Sequence, residues 1–136
     1  MSVEIAVLDT HALLWWLQDD MRRFGRRSRT FLERVDAGEA VACVPTLVLV
    51  EVAEALRRGT FALGEPFDAF VERLESTPSQ YHVVDFTAAM AVHAHELYAI
   101  PERGDRLIAA TALALGFPLV TRDPEIAAAI GGEHLW

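Results

Sequence analysis

The chain has 136 residues, 52% of them apolar and 24% charged, enough for one compact domain with a substantial core and too few for two. Acidic residues number 20 against 12 basic ones, a formal charge of -8, so a nucleic-acid partner must be held by local basic patches against a repelling mean field. Every basic residue is arginine, and without lysine a phosphate loop ending in Gly-Lys, a Schiff-base enzyme and a pyridoxal enzyme are all excluded.

Residues 3–8 form a largely apolar, β-branched run leading into Asp9, which predicts a strand buried on both faces. Glu4, Asp9 and His11 interrupt the apolar start and no basic segment precedes it, so the expectation is neither a signal peptide nor a membrane span but a cytoplasmic protein. A helical pattern follows over residues 10–17 and another over 26–35. Residues 41–44 predict a second strand, which carries Cys43, the only cysteine; its apolar setting predicts a buried, inert thiol. Residues 46–58 read as a helix, 59–66 as a loop and 66–74 as another helix. A third strand is expected over 81–84, helices over 87–97 and 105–115, a short strand over 119–121 and an edge strand over 134–136. Strand and helix alternate throughout. That pattern predicts a single α/β domain over residues 1–136, a three-layer sandwich with a parallel sheet of four to five strands flanked by helices.

Ligands of an open parallel sheet bind beyond the carboxyl ends of its strands, so the polar residues just past each strand carry the chemistry. Asp9 ends the first strand and Asp123 lies just past the fourth, in Val120-Thr-Arg-Asp123. Glu51 sits among apolar neighbours in Leu49-Val-Glu-Val-Ala53, where a solvated helix face is a poor explanation for a charge. Asp105 opens the small-residue helix Asp105-Arg-Leu-Ile-Ala-Ala-Thr-Ala112. Taken singly, Asp9, Asp105 and Asp123 read equally well as helix caps or partners of a helix dipole, but Glu51 has no such role. If the four converge, unit charges about 5 Å apart repel by roughly 3 kcal/mol at an effective dielectric near 20. Protons or a divalent cation must then neutralise them. An all-oxygen ligand set favours Mg²⁺ or Mn²⁺, and such a site suits phosphodiester hydrolysis.

These residues resemble the PIN-domain nucleases, and within them the VapC toxins of toxin–antitoxin pairs. Leu8-Asp-Thr-His-Ala-Leu-Leu-Trp-Trp-Leu17 is similar to the opening motif of a VapC subgroup, and Val50-Glu-Val-Ala53 to the second acidic motif. Asp105-Arg-Leu-Ile-Ala-Ala-Thr-Ala-Leu113, followed by Gly116-Phe-Pro-Leu-Val-Thr-Arg-Asp-Pro124, resembles the third and fourth, and the ending Leu135-Trp136 also fits. The resemblance implies a PIN-like sandwich with metal ligands at Asp9, Glu51, Asp105 and Asp123, supported by Thr121. It also implies a magnesium-dependent endoribonuclease toxin, commonly homodimeric and inhibited by a small antitoxin that inserts a segment into the active-site groove. Cleavage leaving 5′-phosphate and 3′-hydroxyl ends is implied as well.

The chain departs from the family pattern in two places. Members often carry Asp-Pro-Phe-Asp-Arg before the third acidic helix where this chain has Glu102-Arg-Gly-Asp-Arg106, so Glu102 stays outside the expected metal set. The helix bearing Glu51 also lacks the subgroup's lysine, which leaves Arg57 or Arg58 to meet phosphate.

Among the remaining arginines, Arg106 and Arg122 adjoin proposed ligands and are expected, with Thr121, to contact substrate. Arg22, Arg23, Arg26, Arg27 and Arg29 form the dense basic cluster, which suits an RNA grip, a solvated helix face or an antitoxin dock. His93 and His95 stand about 200° apart around a helix and cannot share an ion, and His11 lies in the turn after Asp9. Trp15 and Trp16 read as core packing. The competing expectation is a catalytically silent PIN-like module that binds only a partner protein.

Overall fold

The computed structural model describes residues 3–131 and 134–136. In chain order the elements are β1 (Ile5–Leu8), α1 (Thr10–Leu17), a 3-10 turn (Met21–Arg23), α2 (Arg26–Asp36), β2 (Val41–Pro45) and α3 (Thr46–Arg58). There follow α4 (Phe67–Glu75), β3 (Tyr81–Val84), α5 (Ala88–Glu96), α6 (Arg103–Leu115), β4 (Leu119–Val120), α7 (Pro124–Ala129) and β5 (His134–Leu135). The five strands form one sheet in the order β3-β2-β1-β4-β5, and every pairing is parallel. Parallel pairing requires a crossover between neighbouring strands, and the helices supply it.

β1 is central, and Ala6, Val7 and Leu8 are all inaccessible to solvent, so both faces of the sheet are covered there. Val44, Leu119 and Val120 from the adjacent strands join them, with Leu13, Leu32, Val48, Phe70 and Ile108 packing down from the helices. Cys43 lies within this core, and burial pushes its thiol up to about 11. No helix of the described residues is long and apolar enough to cross a membrane.

Local signals set the helix ends. α3 and α6 stop at Gly59 and Gly116, whose φ angles of 74° and 73° lie in the left-handed region that glycine enters without steric cost. α1 and α3 fall where the residue pattern puts them. α6 begins at Arg103 instead of Asp105, because the Glu102 side chain caps it. α7 was not expected from periodicity, since six residues offer too short a run to show one.

Candidate active site

The strand order reverses direction between β1 and β4, and such a switch point opens a crevice beyond the strand ends. Asp9 is the first residue past β1, and Thr121, Arg122 and Asp123 follow β4. The Asp9 amide donates to the Val120 carbonyl at 3.3 Å, which ties the two strand ends together.

Asp9 caps α1 and faces the crevice as well. Its Oδ1 accepts from the Ala12 amide at 2.8 Å. Burial raises its pKa above the ordinary aspartate value and the nearby Asp123 charge adds to the rise, while hydrogen bonds from Ala12 and the Thr121 hydroxyl and the charge of His11 oppose it. Asp123 caps α7: its Oδ1 accepts from Glu125 at 2.8 Å and Ile126 at 3.5 Å, which leaves Oδ2 clear of both bonds. The capping reading and the ligand reading are therefore compatible, because a carboxylate has two oxygens and capping occupies one.

Asp105 lies in the first turn of α6. Burial, and then the charges of Glu102, Asp123 and Glu51, push its carboxyl up to about 7. Glu102 caps the same helix, accepting from the Gly104 amide at 2.9 Å and the Asp105 amide at 2.7 Å. Burial raises its pKa, but those two bonds outweigh it and hold the carboxyl below the usual range. Glu51 reaches the crevice from α3, where the Thr10 hydroxyl donates to its Oε1. A Cβ placed on Gly104 would stand 2.6 Å from Glu51 Oε2, so the missing side chain is what lets Glu51 approach α6.

Two adjoining hollows result. One, of about 450 Å³, is lined by Asp9, His11, Trp15, Asp105, Arg122 and Asp123. The other, of about 310 Å³, includes Asp9, Thr10, Glu51, Arg58, Glu102 and Asp105 in its walls. Asp9, His11 and Asp105 line both, so the four acids expected from sequence border one continuous cleft. Among the described residues no group of three or more Asp, Glu, His or Cys side chains is already drawn together as a metal-holding set.

The arginines divide. Arg122 is exposed and lines the cleft. Arg106 does not line it: its Nη1 donates to the carbonyls of Ile100 at 3.0 Å and Pro101 at 3.2 Å, so it pins the loop before α6, correcting the expected substrate contact. Thr121 is corrected likewise. It is fully buried and cannot touch a substrate; its oxygen accepts from the Asp123 amide at 3.2 Å while its hydroxyl bonds Asp9, so it braces two acids at once. Sequence reasoning also passed over Thr10, Gly104 and Trp15 as parts of the cleft. Gly104 alone carried a signal, since glycine in a helix's first turn is costly unless something must come close.

Fold and cleft together define a small parallel α/β domain with an acid-lined crevice at its switch point. The PIN domain family matches residues 6–131, and the chain belongs to that family. Three solved structures share the fold. A DNA-bound VapBC from Salmonella typhimurium has a TM-score of 0.65 at 19% identity, covering 97% of this chain and 96% of that one. VapBC2 from Rickettsia felis, bound to a fragment of its promoter, has a TM-score of 0.64 at 20% identity over 94% of each chain. A toxin–antitoxin complex from Klebsiella pneumoniae has a TM-score of 0.59 at 20% identity over 93% of each. No curated protein matches the chain.

Proposed function

We propose that this chain is a cytoplasmic, VapC-like endoribonuclease toxin that hydrolyses RNA phosphodiester bonds with Mg²⁺ or Mn²⁺ and is restrained by a small antitoxin. The observation that carries the reading is the convergence of Asp9, Glu51, Asp105 and Asp123, from four separate segments, on one cleft at the switch point. The four carboxylates supply oxygen ligands of the kind a hard dication takes; burial raises the pKa of Asp9 and Asp105, and nearby acids add to the rise that a bound cation would reverse. These four acids would hold it. When bound, the ion supplies Lewis acidity toward water and the phosphodiester and neutralises charge on the leaving oxygen.

The chain's own residues do the rest. Thr121 and the Ala12 amide fix the Asp9 carboxylate, and Thr10 fixes Glu51. Burial and the neighbouring acids hold the pKa of the Asp105 carboxyl at about 7, so a cation taken up there competes with its proton. Arg122 and Arg58, at the rims of the two hollows, are placed to meet phosphate oxygens. VapBC and toxin–antitoxin complexes among the structural neighbours support an antitoxin partner.

The test is cleavage of end-labelled single-stranded RNA by the purified chain. Cleavage is expected with Mg²⁺ and not with EDTA, and it disappears in Asp9→Asn while circular dichroism is unchanged. Undiminished cleavage by Asp9→Asn overturns the assignment. The rival, a silent interaction module, is favoured by the absence of a ready-made three-ligand group among the described residues. It predicts no cleavage of any RNA, with antitoxin binding intact.

A further inference from the structure

Two guanidinium groups lie over the Trp15 ring. The Arg23 Cζ lies 5.1 Å from the ring centroid and the Arg122 Cζ 4.8 Å. The two cations differ in what else holds them. Arg23 is paired with Asp20 at 2.8 Å. Arg122 borders Asp9, Asp105 and Asp123, yet among the described residues it makes no ion pair, and its resting contact is the indole. An exposed arginine beside acids ordinarily turns toward them. This one lies on an aromatic face.

The platform beneath it is rigid. Trp15 meets Phe24 edge-on at 6.3 Å and Trp136 edge-on at 6.0 Å, and those two rings stack on each other at 5.2 Å. Gly25 leaves no room for a Cβ, which would stand 2.6 Å from the Trp136 carbonyl carbon, so Trp136 is seated directly on the α2 entry. His11 lies 5.3 Å from Trp15 on the cleft side. The backbone on either side of Arg122 is fixed too, by buried Thr121 and by Asp123 capping α7.

A planar cation seated on an indole presents an outer face and in-plane N–H donors at the mouth of the cleft. An acidic peptide would use the donors and leave the stacked face idle. An unpaired nucleobase uses both, since its ring stacks while the adjoining phosphate takes the N–H groups. A base inside a duplex already has both faces covered by its neighbours. We propose that Arg122 and Trp15 form the stacking platform for one unpaired nucleobase of a single-stranded RNA, next to the phosphodiester in the carboxylate cleft. This rests on the ribonuclease reading and assigns two side chains, Arg122 and Trp15, to hold one base of its substrate.

The test is equilibrium binding of fluorescein-labelled single-stranded RNA to the full chain, with Ca²⁺ in place of Mg²⁺, using a series in which one nucleotide at a time is abasic. One abasic position beside the cleavage point is expected to weaken binding by wild-type protein about tenfold, the scale of a lost base–aromatic stack. In Trp15→Leu that penalty shrinks to less than about twofold, whereas Trp15→Phe keeps most of it. The abasic arm uses unaltered protein, so it stands even where a variant folds poorly. An equal penalty at every position, an equal penalty in wild type and Trp15→Leu, or equally tight duplex binding overturns the platform. So does binding of an acidic peptide that is lost in Arg122→Leu while RNA binding is not. If wild-type protein cuts RNA but shows no position-dependent penalty, the platform alone fails; if it cuts no RNA with Mg²⁺, both proposals fail.

Discussion

The arginine-rich groove along α2 and the acidic cleft at the ends of β1 and β4 carry opposite charge and have opposite fates. The groove, of about 510 Å³, is lined by Arg26, Arg27, Thr30 and Arg34. Its charges are at ease. Arg34 donates to the Val3 carbonyl at 2.6 Å and the Glu39 carbonyl at 3.0 Å, Arg29 pairs with Glu33 at 3.3 Å, and Arg26 and Arg27 extend into solvent. In the cleft, Asp9 and Asp105 are driven above their ordinary proton affinities, first by burial and then by neighbouring acids. What sets the cleft apart is that the fold gathers acids where burial and like charge raise their proton affinity.

The sharpest way to break that contrast is Asp9→Asn, which removes one charge from the cleft and keeps its shape. RNA cleavage should fall on the order of 10²–10³-fold or more, with the melting temperature held or raised as repulsion eases. Gly104→Ala attacks the same wall indirectly, since its Cβ would meet Glu51 Oε2 at 2.6 Å. The end of a glutamate side chain can swing aside, so the fold should survive, while calorimetric affinity for Mn²⁺ drops about 10–100-fold, as when a ligand's support is lost. Unchanged affinity would remove Glu51 from the ligand set.

Acidity offers a third comparison. Asp105 titrates near 4 when unfolded and at about 7 when folded. Between those values the native chain holds a proton that the unfolded chain has released, so stability is greatest at the acid end and declines as pH climbs to 7. In EDTA the melting temperature should therefore fall by a few degrees from about pH 5 to pH 8. Asp105→Asn should flatten the slope and saturating Mg²⁺ should abolish it; a slope identical in the variant would clear Asp105 of responsibility. The smallest effect belongs to the groove. Replacing Arg26 and Arg27 together by alanine should change kcat/KM by less than about fivefold, because an exposed, screened charge contributes roughly 0–1 kcal/mol. A much larger loss would make the groove part of the RNA path.

The fold was legible wherever a local signal coincided with a period. Asp9 before Thr10 and Gly59 after Arg58 bracket helices that periodicity had already outlined, and the bounds of α1 and α3 follow. The start of α6 was read two residues late, because Gly104 in Glu102-Arg-Gly-Asp105 argues against a helix while in the structure it makes room for Glu51. Three of the acids stood out in the sequence because Asp9 and Asp123 follow strands and Glu51 interrupts an apolar run, and Asp105 because it heads a helix of small residues. The roles of Arg106 and Thr121 were not, since adjacency in sequence does not say which way a side chain turns. Arg106 turns back to Ile100, and Thr121 turns inward to Asp9. Trp15 read as core because indole area is the common reason for a tryptophan on a helix; only the placement of Arg122 over it, from beyond β4, gives it a different surface.

Everything said of the cleft depends on the acids being a site for a dication, and a thermal titration of the intact chain with Mg²⁺ and Mn²⁺, run beside Asp9→Asn, tests this most directly. The expected result is a rise in the wild-type melting temperature that follows the logarithm of added ion above its dissociation constant and is lost in the variant. A wild-type melting temperature that stays flat up to millimolar ion, or rises equally in Asp9→Asn, would contradict it.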